Sequence, residues 1–319
     1  MPVGIEKLPG AAFLAYPEKT DFLISEIQER FPHYGKPVFY GDLLYYPEAL
    51  NPVVPYWCKS AMLSVSRATF SSIGEAASLL KQIQRNWAPY QFAQFRRAAL
   101  IQEKLPYLNF KPKNFPFKIP DSPMGLYTLL DANTMLFSEK TSSVLPAGTI
   151  QLVEDHENPP SRAYLKIQEA LIRFSHVFSA DIPSQGQRCF DAGACPGGWT
   201  WVLRQLGCKV TAVDRAPLVP SLMNDPEVSF MTHDAFTLKP SDMGHFDWVF
   251  SDVICYPERL YGWVSSWLDS GLCDNMICTI KMQGGIDWPL VEKFASIPNS
   301  HVVHLCYNKH ELTWMHCKK

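Results

Sequence analysis

Apolar and polar positions alternate in short runs along the whole chain, but the rhythm changes near its middle. In the first half, residues 11–17 (AAFLAYP), 36–47 (KPVFYGDLLYYP) and 61–70 (AMLSVSRATF) are apolar and aromatic runs, and each predicts a strand. Residues 20–31 (TDFLISEIQERF) predict a helix. A second helix is expected over 72–86, because Ser72 and Glu75 stand at capping-box spacing while Ile73, Ala76, Ala77, Leu80 and Ile83 share one face. Residues 126–140 (LYTLLDANTMLFSEK) have the form of a hairpin. Together these elements describe a small α+β domain. Two prolines in ENPPS, residues 157–161, interrupt regular structure and set the expected boundary, with one domain over 1–157 and another over 158–319.

After the prolines the pattern becomes regular. Residues 161–174 (SRAYLKIQEALIRF) predict a helix with Ala163, Ile167, Ala170, Leu171 and Phe174 along one stripe. Seven apolar runs follow: QRCFDAGA, CKVTAVDRA, VSFMTHDAF, HFDWVFSDV, DNMICTIKM, HVVHLCYNK and LTWMHCK. Helical runs separate most of them, at WTWVLRQLG, residues 217–224, ERLYGWVSSWLD and DWPLVEKFASI. Short apolar strands alternating with helices imply a mainly parallel sheet covered on both faces. The last two strands have only a tight connection around His310 and are expected to pair antiparallel. The predicted fold class is therefore α/β, a Rossmann-like sheet with an antiparallel last strand, preceded by the smaller α+β domain.

Composition narrows the setting. A chain of 319 residues that is 47% hydrophobic and 19% charged has room for about two domains and excludes disorder. Its nine cysteines are scattered without a C-x-x-C pair, which fits a reducing cytoplasm better than secretion. No apolar stretch approaches membrane-spanning length, and the run before Pro17 is too short for a signal peptide. A soluble cytoplasmic protein is expected. The net charge is −2, but residues 1–150 carry 15 Lys+Arg against 12 Asp+Glu and the remainder 14 against 19. A surface for a polyanion is therefore expected mainly in the first half.

Ligands on parallel sheets gather at the carboxyl ends of the strands, so the residues there carry the candidate chemistry. The first strand of the second half runs into DAGACPGGW, residues 191–199. A glycine-rich turn between strand and helix lets a nucleotide-like ligand touch the main chain. The dinucleotide fingerprint G-x-G-x-x-G is excluded, because the glycines stand at 193, 197 and 198. Asp214 ends the second strand, placed to accept from two ribose hydroxyls, Asp234 ends the third within reach of an adenine amino group, and Asp252 ends the fourth. Singly, each is as well explained as a turn or capping aspartate. Together with the turn they describe an adenosine site without phosphates, for which S-adenosylmethionine is the expected cofactor. The expected cofactor set is Asp191, Gly193, Ala194, Cys195, Pro196, Gly197, Gly198 and Trp199 of the turn, with Asp214, Asp234 and Asp252. Lys281 ends the apolar strand MICTI, where the ordinary role is to snorkel to solvent. Lys166 on the first helix also passes singly as a surface lysine, and Glu311 at the start of the last strand as a turn acid.

The motifs SRAYLK, DAGACPGGW, VDRAP, HDAF, SDV, IKMQG and HELT together resemble the FtsJ-like ribose 2′-O-methyltransferases, and within them the RlmM family, which methylates a cytidine ribose of large-subunit ribosomal RNA. The resemblance covers about residues 158–318, and its most specific pieces are PPSRAYLK and DAGACPGGWT. It implies a class I methyltransferase sheet, S-adenosylmethionine as methyl donor and 23S ribosomal RNA as partner. It also implies a Lys-Asp-Lys-Glu tetrad, which falls motif by motif on Lys166, Asp252, Lys281 and Glu311. A ribose 2′-hydroxyl is a weak acid, so its methylation needs an aligned approach and removal of a proton. A lysine near a second cation in a partly desolvated pocket can serve as that base. Lys281 is the expected base, oriented by Asp252, with Lys166 and Glu311 positioning the ribose.

The sequence departs from the family after Lys281, where MQGGIDW replaces the more basic residues expected there. The first half resembles the family only loosely and occupies the place of its THUMP-like RNA-binding region. Residues 94–120 read as a basic linker, with Arg96, Arg97, Lys104, Lys111, Lys113 and Lys118 against the single acid Glu103, and with Phe95, Tyr107, Phe110, Phe115 and Phe117 interleaved. Cations for phosphates and rings for unpaired bases make Arg96, Arg97, Lys111 and Lys113 the expected RNA contacts. A solvated linker pinned by its aromatics is the alternative. No Cys/His grouping has zinc spacing, so no metal is expected. Two further readings are methylation of another RNA, such as transfer RNA or a cap, and an RNA-binding relative that has lost activity.

Overall fold

The computed structural model describes residues 4–318, and its chain divides into two compact units. One comprises the described residues up to Pro112 together with Ile119–Gln151; the other comprises Lys113–Lys118 and Leu152 onward. The change of unit at Leu152 comes before the expected 157/158, and Lys113–Lys118 goes with the second unit. The reason is a main-chain tie: Lys113 bridges Leu152, and the Val153 N–H donates to the Lys113 carbonyl at 2.9 Å.

In the first unit the strands β1 (Gly4–Lys7), β2 (Ala11–Ala15), β3 (Val38–Tyr40), β4 (Leu43–Tyr46), β5 (Cys58–Met62), β6 (Ser66–Thr69), β7 (Trp87–Pro89), β8 (Gly125–Leu129) and β9 (Thr134–Ser138) build two sheets. Their orders are β3-β4-β2-β5 and β1-β6-β9-β8-β7. Two expected single strands prove to be pairs. Residues 36–47 fold back at Gly41, whose φ of +64° suits glycine, so β3 and β4 form a hairpin. The run 61–70 breaks at Leu63–Val65 because the Leu63 and Ser64 N–H groups donate to the Lys140 carbonyl and the Ser138 hydroxyl.

The helices are α1 (Thr20–Arg30), α2 (Ile73–Ile83) and α3 (Phe95–Lys104). At α2 the Glu75 N–H donates to Ser72 Oγ at 3.2 Å, while the Glu75 carboxylate accepts from the Ser71 N–H at 2.6 Å. Its buried Ala76, Ala77 and Leu80 join Trp87, Met135 and Phe137 in one core. The segment 94–120 is not the continuous linker its composition suggested. Ala98, Ile101 and Leu105 are buried in that same core, which holds Phe95–Lys104 as a helix.

The second unit has seven strands: β10 (Arg188–Ala192), β11 (Lys209–Asp214), β12 (Val228–Thr232), β13 (Phe246–Ser251), β14 (Cys273–Lys281), β15 (Ser300–Val303) and β16 (Glu311–Cys317). Their order is β12-β11-β10-β13-β14-β16-β15, parallel except that β16 runs antiparallel to both neighbours. The α/β alternation and the antiparallel last strand are as expected; the insertion of β16 between β14 and β15 was not foreseen. The helices are α4 (Ala163–Phe178), α5 (Gly198–Gln205), α6 (Pro220–Met223), α7 (Pro240–Met243), α8 (Pro257–Ser270) and α9 (Trp288–Ala295). Aromatic packing fixes them to the sheet: Phe174 of α4 lies 4.7 Å from Trp248, and Trp267 of α8 lies 5.4 Å from Phe190, between ring centroids. Strand order reverses between β10 and β13, and the carboxyl ends there form the crevice where such sheets bind ligands. No described helix is long and apolar enough to cross a membrane.

Candidate active site

The turn after β10 shows why glycine is needed there. Gly193 has φ +79°, and a Cβ on it would lie 2.3 Å from Val253 Cγ2. Gly197 has φ +117°, and a Cβ there would meet Leu222 at 2.3 Å. At Gly198 a Cβ would lie 2.5 Å from Ser161 Oγ. Three other segments therefore close on this turn, which any side chain would hold apart. The Gly193 and Ala194 N–H groups donate to the Val213 carbonyl of β11, at 2.8 and 3.2 Å. The first turn of α5 has no side-chain cap, which leaves its leading N–H groups without a side-chain acceptor.

Two aspartates, Asp191 and Asp214, brace this turn, and a third, Asp234, gathers the cations beside it. Asp191 is buried under it and accepts a hydrogen bond from Thr200 Oγ1 at 2.6 Å; burial pushes its carboxyl up to about 7. Its carboxylate thus joins β10 to α5. Asp214 accepts from the Cys195 and Ala216 N–H groups, both at 3.0 Å, and so fixes the loops at the end of β11. Asp234 accepts from the Phe236 N–H and from two guanidiniums, Arg215 at 2.7 Å and Arg259 at 2.9 Å. Its hydrogen bond with Arg259 is the foremost influence holding its carboxyl down at about 2.

Four charged side chains converge beside the turn, each from a different element. Lys281 ends β14 and lies opposite Glu311, the first residue of β16, in the strand register. Asp252 follows β13, and Lys166 comes from α4. Lys281 Nζ donates to Asp252 Oδ1 at 2.5 Å, and Thr279 Oγ1 donates to the same oxygen at 2.6 Å. Lys166 Nζ lies 3.0 Å from Asp252 and 2.8 Å from Glu311 Oε1. The two lysines therefore differ. Lys166 spends its protons on two carboxylates at 9% side-chain exposure, whereas Lys281 has only Asp252 as an ion-pair partner among the described residues, at 15%. Burial alone works to lower the Lys166 ammonium, but Asp252 and Glu311 outweigh it and the net direction is upward. Burial likewise works to raise the Glu311 carboxyl, but Lys166 and Lys281 outweigh it and hold it down at about 2. Lys281 does not snorkel to solvent, and Glu311 is not a bare turn acid.

The Glu311 carboxyl has a consequence for acid stability. Its value falls from 4.5 to about 2 on folding, so its stabilisation is present above pH 4.5 and is lost as pH drops toward about 2. Glu311→Gln should therefore lower the urea midpoint at pH 7, and that gap should narrow through this window. A gap unchanged down to pH 2 would contradict the ion pair.

The sequence reading missed several participants. Ser161 Oγ is buried with no hydrogen-bond partner and faces Gly198, so it is a polar group unsatisfied at the turn. Thr279 stands two residues before Lys281 on the same face of β14, a placement that strand periodicity alone would have revealed. Arg215 and Arg259 gave no signal, because their meeting at Asp234 depends on the fold. Of the expected RNA contacts, Arg96, Arg97 and Lys111 lie in the first unit and Lys113 in the second. A grouping the sequence did not suggest, His245, Asp247 and Asp274, lies at the other end of the sheet, where Asp274 pairs with His245 at 3.2 Å and Lys318 at 2.9 Å.

A doubly wound sheet with a glycine turn and strand-end acids defines the methyltransferase class, and residues 159–265 match the model of the FtsJ-like methyltransferases. That stretch holds the turn and Asp252. Over 125 residues the chain is 42% identical to Ribosomal RNA large subunit methyltransferase M of Halorhodospira halophila, covering 39% of this chain and 36% of that one. The protein of the same name from Alkalilimnicola ehrlichii is 38% identical over 133 residues, covering 41% of this chain and 36% of that one. The one from Edwardsiella ictaluri is 30% identical over 225 residues, covering 68% of this chain and 54% of that one. The chain spans between about a third and about half the length of these curated relatives.

Proposed function

We propose that the chain is a S-adenosylmethionine-dependent RNA ribose 2′-O-methyltransferase whose target is a cytidine of 23S ribosomal RNA, acting in the cytoplasm where ribosomes are assembled. The observation that carries this reading is the Lys281–Asp252–Lys166–Glu311 cluster set against the glycine turn. The donors at the turn fit the methyl donor: the leading N–H groups of α5 and the unsatisfied Ser161 hydroxyl suit its carboxylate. Asp214 and Asp234 stand at the ends of β11 and β12, where the ribose and adenine of a nucleoside lie on such sheets. Phosphates are disfavoured by the acids gathered there. When bound, S-adenosylmethionine supplies a methyl group already activated by its sulfonium.

The remaining work falls to the protein. Lys281, as the neutral amine, accepts the proton of the 2′-hydroxyl and becomes the ammonium that pairs with Asp252, which also aims it. Lys166 holds Asp252 and Glu311 in place, and Glu311 in turn stands opposite Lys281 across the β14–β16 pair. The substrate reading draws on the named relatives and on the first unit. There, Tyr107 and Phe110 line a cavity of about 740 Å³ with Tyr90 and Leu105, and exposed Lys104 and Lys111 adjoin it in the chain. Arg96, Arg97 and Lys111, with Lys113 in the second unit, are the proposed phosphate contacts. Transfer RNA or a cap would suit the same chemistry, since the four residues do not encode the RNA. The completeness of the cluster speaks against a retired enzyme.

Calorimetry tests the cofactor reading. S-adenosylmethionine and its demethylated product should both bind, and NAD should not. Binding of NAD without binding of the methyl donor would overturn the reading.

A further inference from the structure

The segment between Asp252 and α8 is built by alternation. Asp252 turns onto the two lysines. Val253 fills the space against Gly193, and Cys255 is buried, with Arg259, Lys281 and Asp234 as its charged neighbours. The residues between and after them face outward: Ile254 is 81% exposed and Tyr256 65%. Single exposed apolar residues are ordinary. Two large ones within three positions, at the carboxyl edge of the sheet and directly after a buried charge cluster, leave most of their surface to solvent, as the side chains of a contact surface do.

Cations accompany them. The Arg259 N–H donates to the Tyr256 carbonyl at 3.1 Å in the first turn of α8, and its guanidinium shares Asp234 with Arg215. These two arginine side chains are 48% and 77% exposed. Apolar surface with cations beside it complements an unpaired nucleotide, which offers a flat base and a charged phosphate.

We propose that Ile254 and Tyr256 form the platform for the base of the target nucleotide, Tyr256 by stacking, while the ribose 2′-hydroxyl of that nucleotide reaches Lys281. The inference rests on the RNA methyltransferase reading. A single contact at the 2′-hydroxyl leaves the nucleotide free to pivot about it, and alignment of the hydroxyl needs a second point of restraint. A ring accepts the face of any base, so Tyr256 is a positioning residue and does not choose among bases.

The test is methyl transfer to 23S ribosomal RNA by wild type, Tyr256→Ala, Tyr256→Phe and Ile254→Ala, with S-adenosylmethionine affinity measured on the same preparations. Tyr256→Ala should lower kcat/KM for RNA by about 5- to 150-fold, the range covered by one stacked base. Tyr256→Phe keeps the ring and should stay near wild type. Cofactor affinity and thermal midpoint should hold in all three, because both side chains are exposed. Wild-type kcat/KM in both alanine variants would overturn the platform and leave the methyltransferase reading standing. A phenylalanine variant as defective as alanine would overturn the stacking role. A wild-type protein that transfers no methyl group to RNA would bring down the underlying reading and the platform together.

Discussion

Lys281→Ala is expected to cut methyl transfer by about a hundredfold or more while leaving the affinity for S-adenosylmethionine nearly intact. The separation follows from where the groups sit. The proposed donor contacts are the turn at 193–199, Ser161, Asp214 and Asp234, whereas Lys281 ends β14 and bonds only Asp252 among the described residues. Removing the amine takes away the proposed proton acceptor and leaves the cofactor contacts in place. Lys281→Met keeps most of the side-chain bulk without the charge, so it should fold at least as well and be as inactive. A single-turnover assay, with donor affinity measured on the same protein, separates the two quantities. Near-normal turnover in both variants would reduce Lys281 to an ordinary partner of Asp252.

Asp252 should matter to both folding and activity. It accepts from Lys281, Lys166 and Thr279 at 2.5 to 3.0 Å, with its side chain only 18% exposed. Asp252→Ala leaves Lys281 without its carboxylate and Lys166 with Glu311 alone. Removing one member of a buried ion pair costs about 3–5 kcal/mol, largely because a charge stays behind unpaired. A loss in that range should appear in urea unfolding, together with loss of methyl transfer. Adding Lys166→Met should recover part of the stability, since one stranded ammonium goes with it, and none of the activity. Wild-type stability in Asp252→Ala would show that the cluster is not held together by this carboxylate.

How much of this could be read from the sequence depended on the range of the interaction. Periodicity located α4 and α8 and all seven strands of the second unit, the five inner ones because a strand buried on both faces is a continuous apolar run, while the edge strands β12 and β15 are less buried. The glycines at 193, 197 and 198 announced a turn with a closely approaching neighbour, and the structure supplies Val253, Leu222 and Ser161 as those neighbours. The four residues of the cluster were named through motifs. Their division of labour was not legible, since it depends on Lys166 meeting Asp252 across 86 positions of chain. The same holds for β16, whose place between β14 and β15 is a matter of tertiary pairing. Local errors had local causes. The Gly41 turn lay inside what looked like one strand, and basic composition hid the Ala98, Ile101 and Leu105 spacing that makes α3 a helix.

The central claim is that a methyl group goes to a ribose oxygen of RNA. Incubation of the protein with 23S ribosomal RNA and methyl-labelled S-adenosylmethionine, followed by alkaline hydrolysis, tests it directly, because a 2′-O-methyl group blocks cleavage of the adjoining phosphodiester. The label should appear in one alkali-resistant dinucleotide with cytidine on its 5′ side, and should be absent with Lys281→Ala. Label recovered in mononucleotides, which would place the methyl group on a base, or no transfer from a protein that binds the donor, would contradict it.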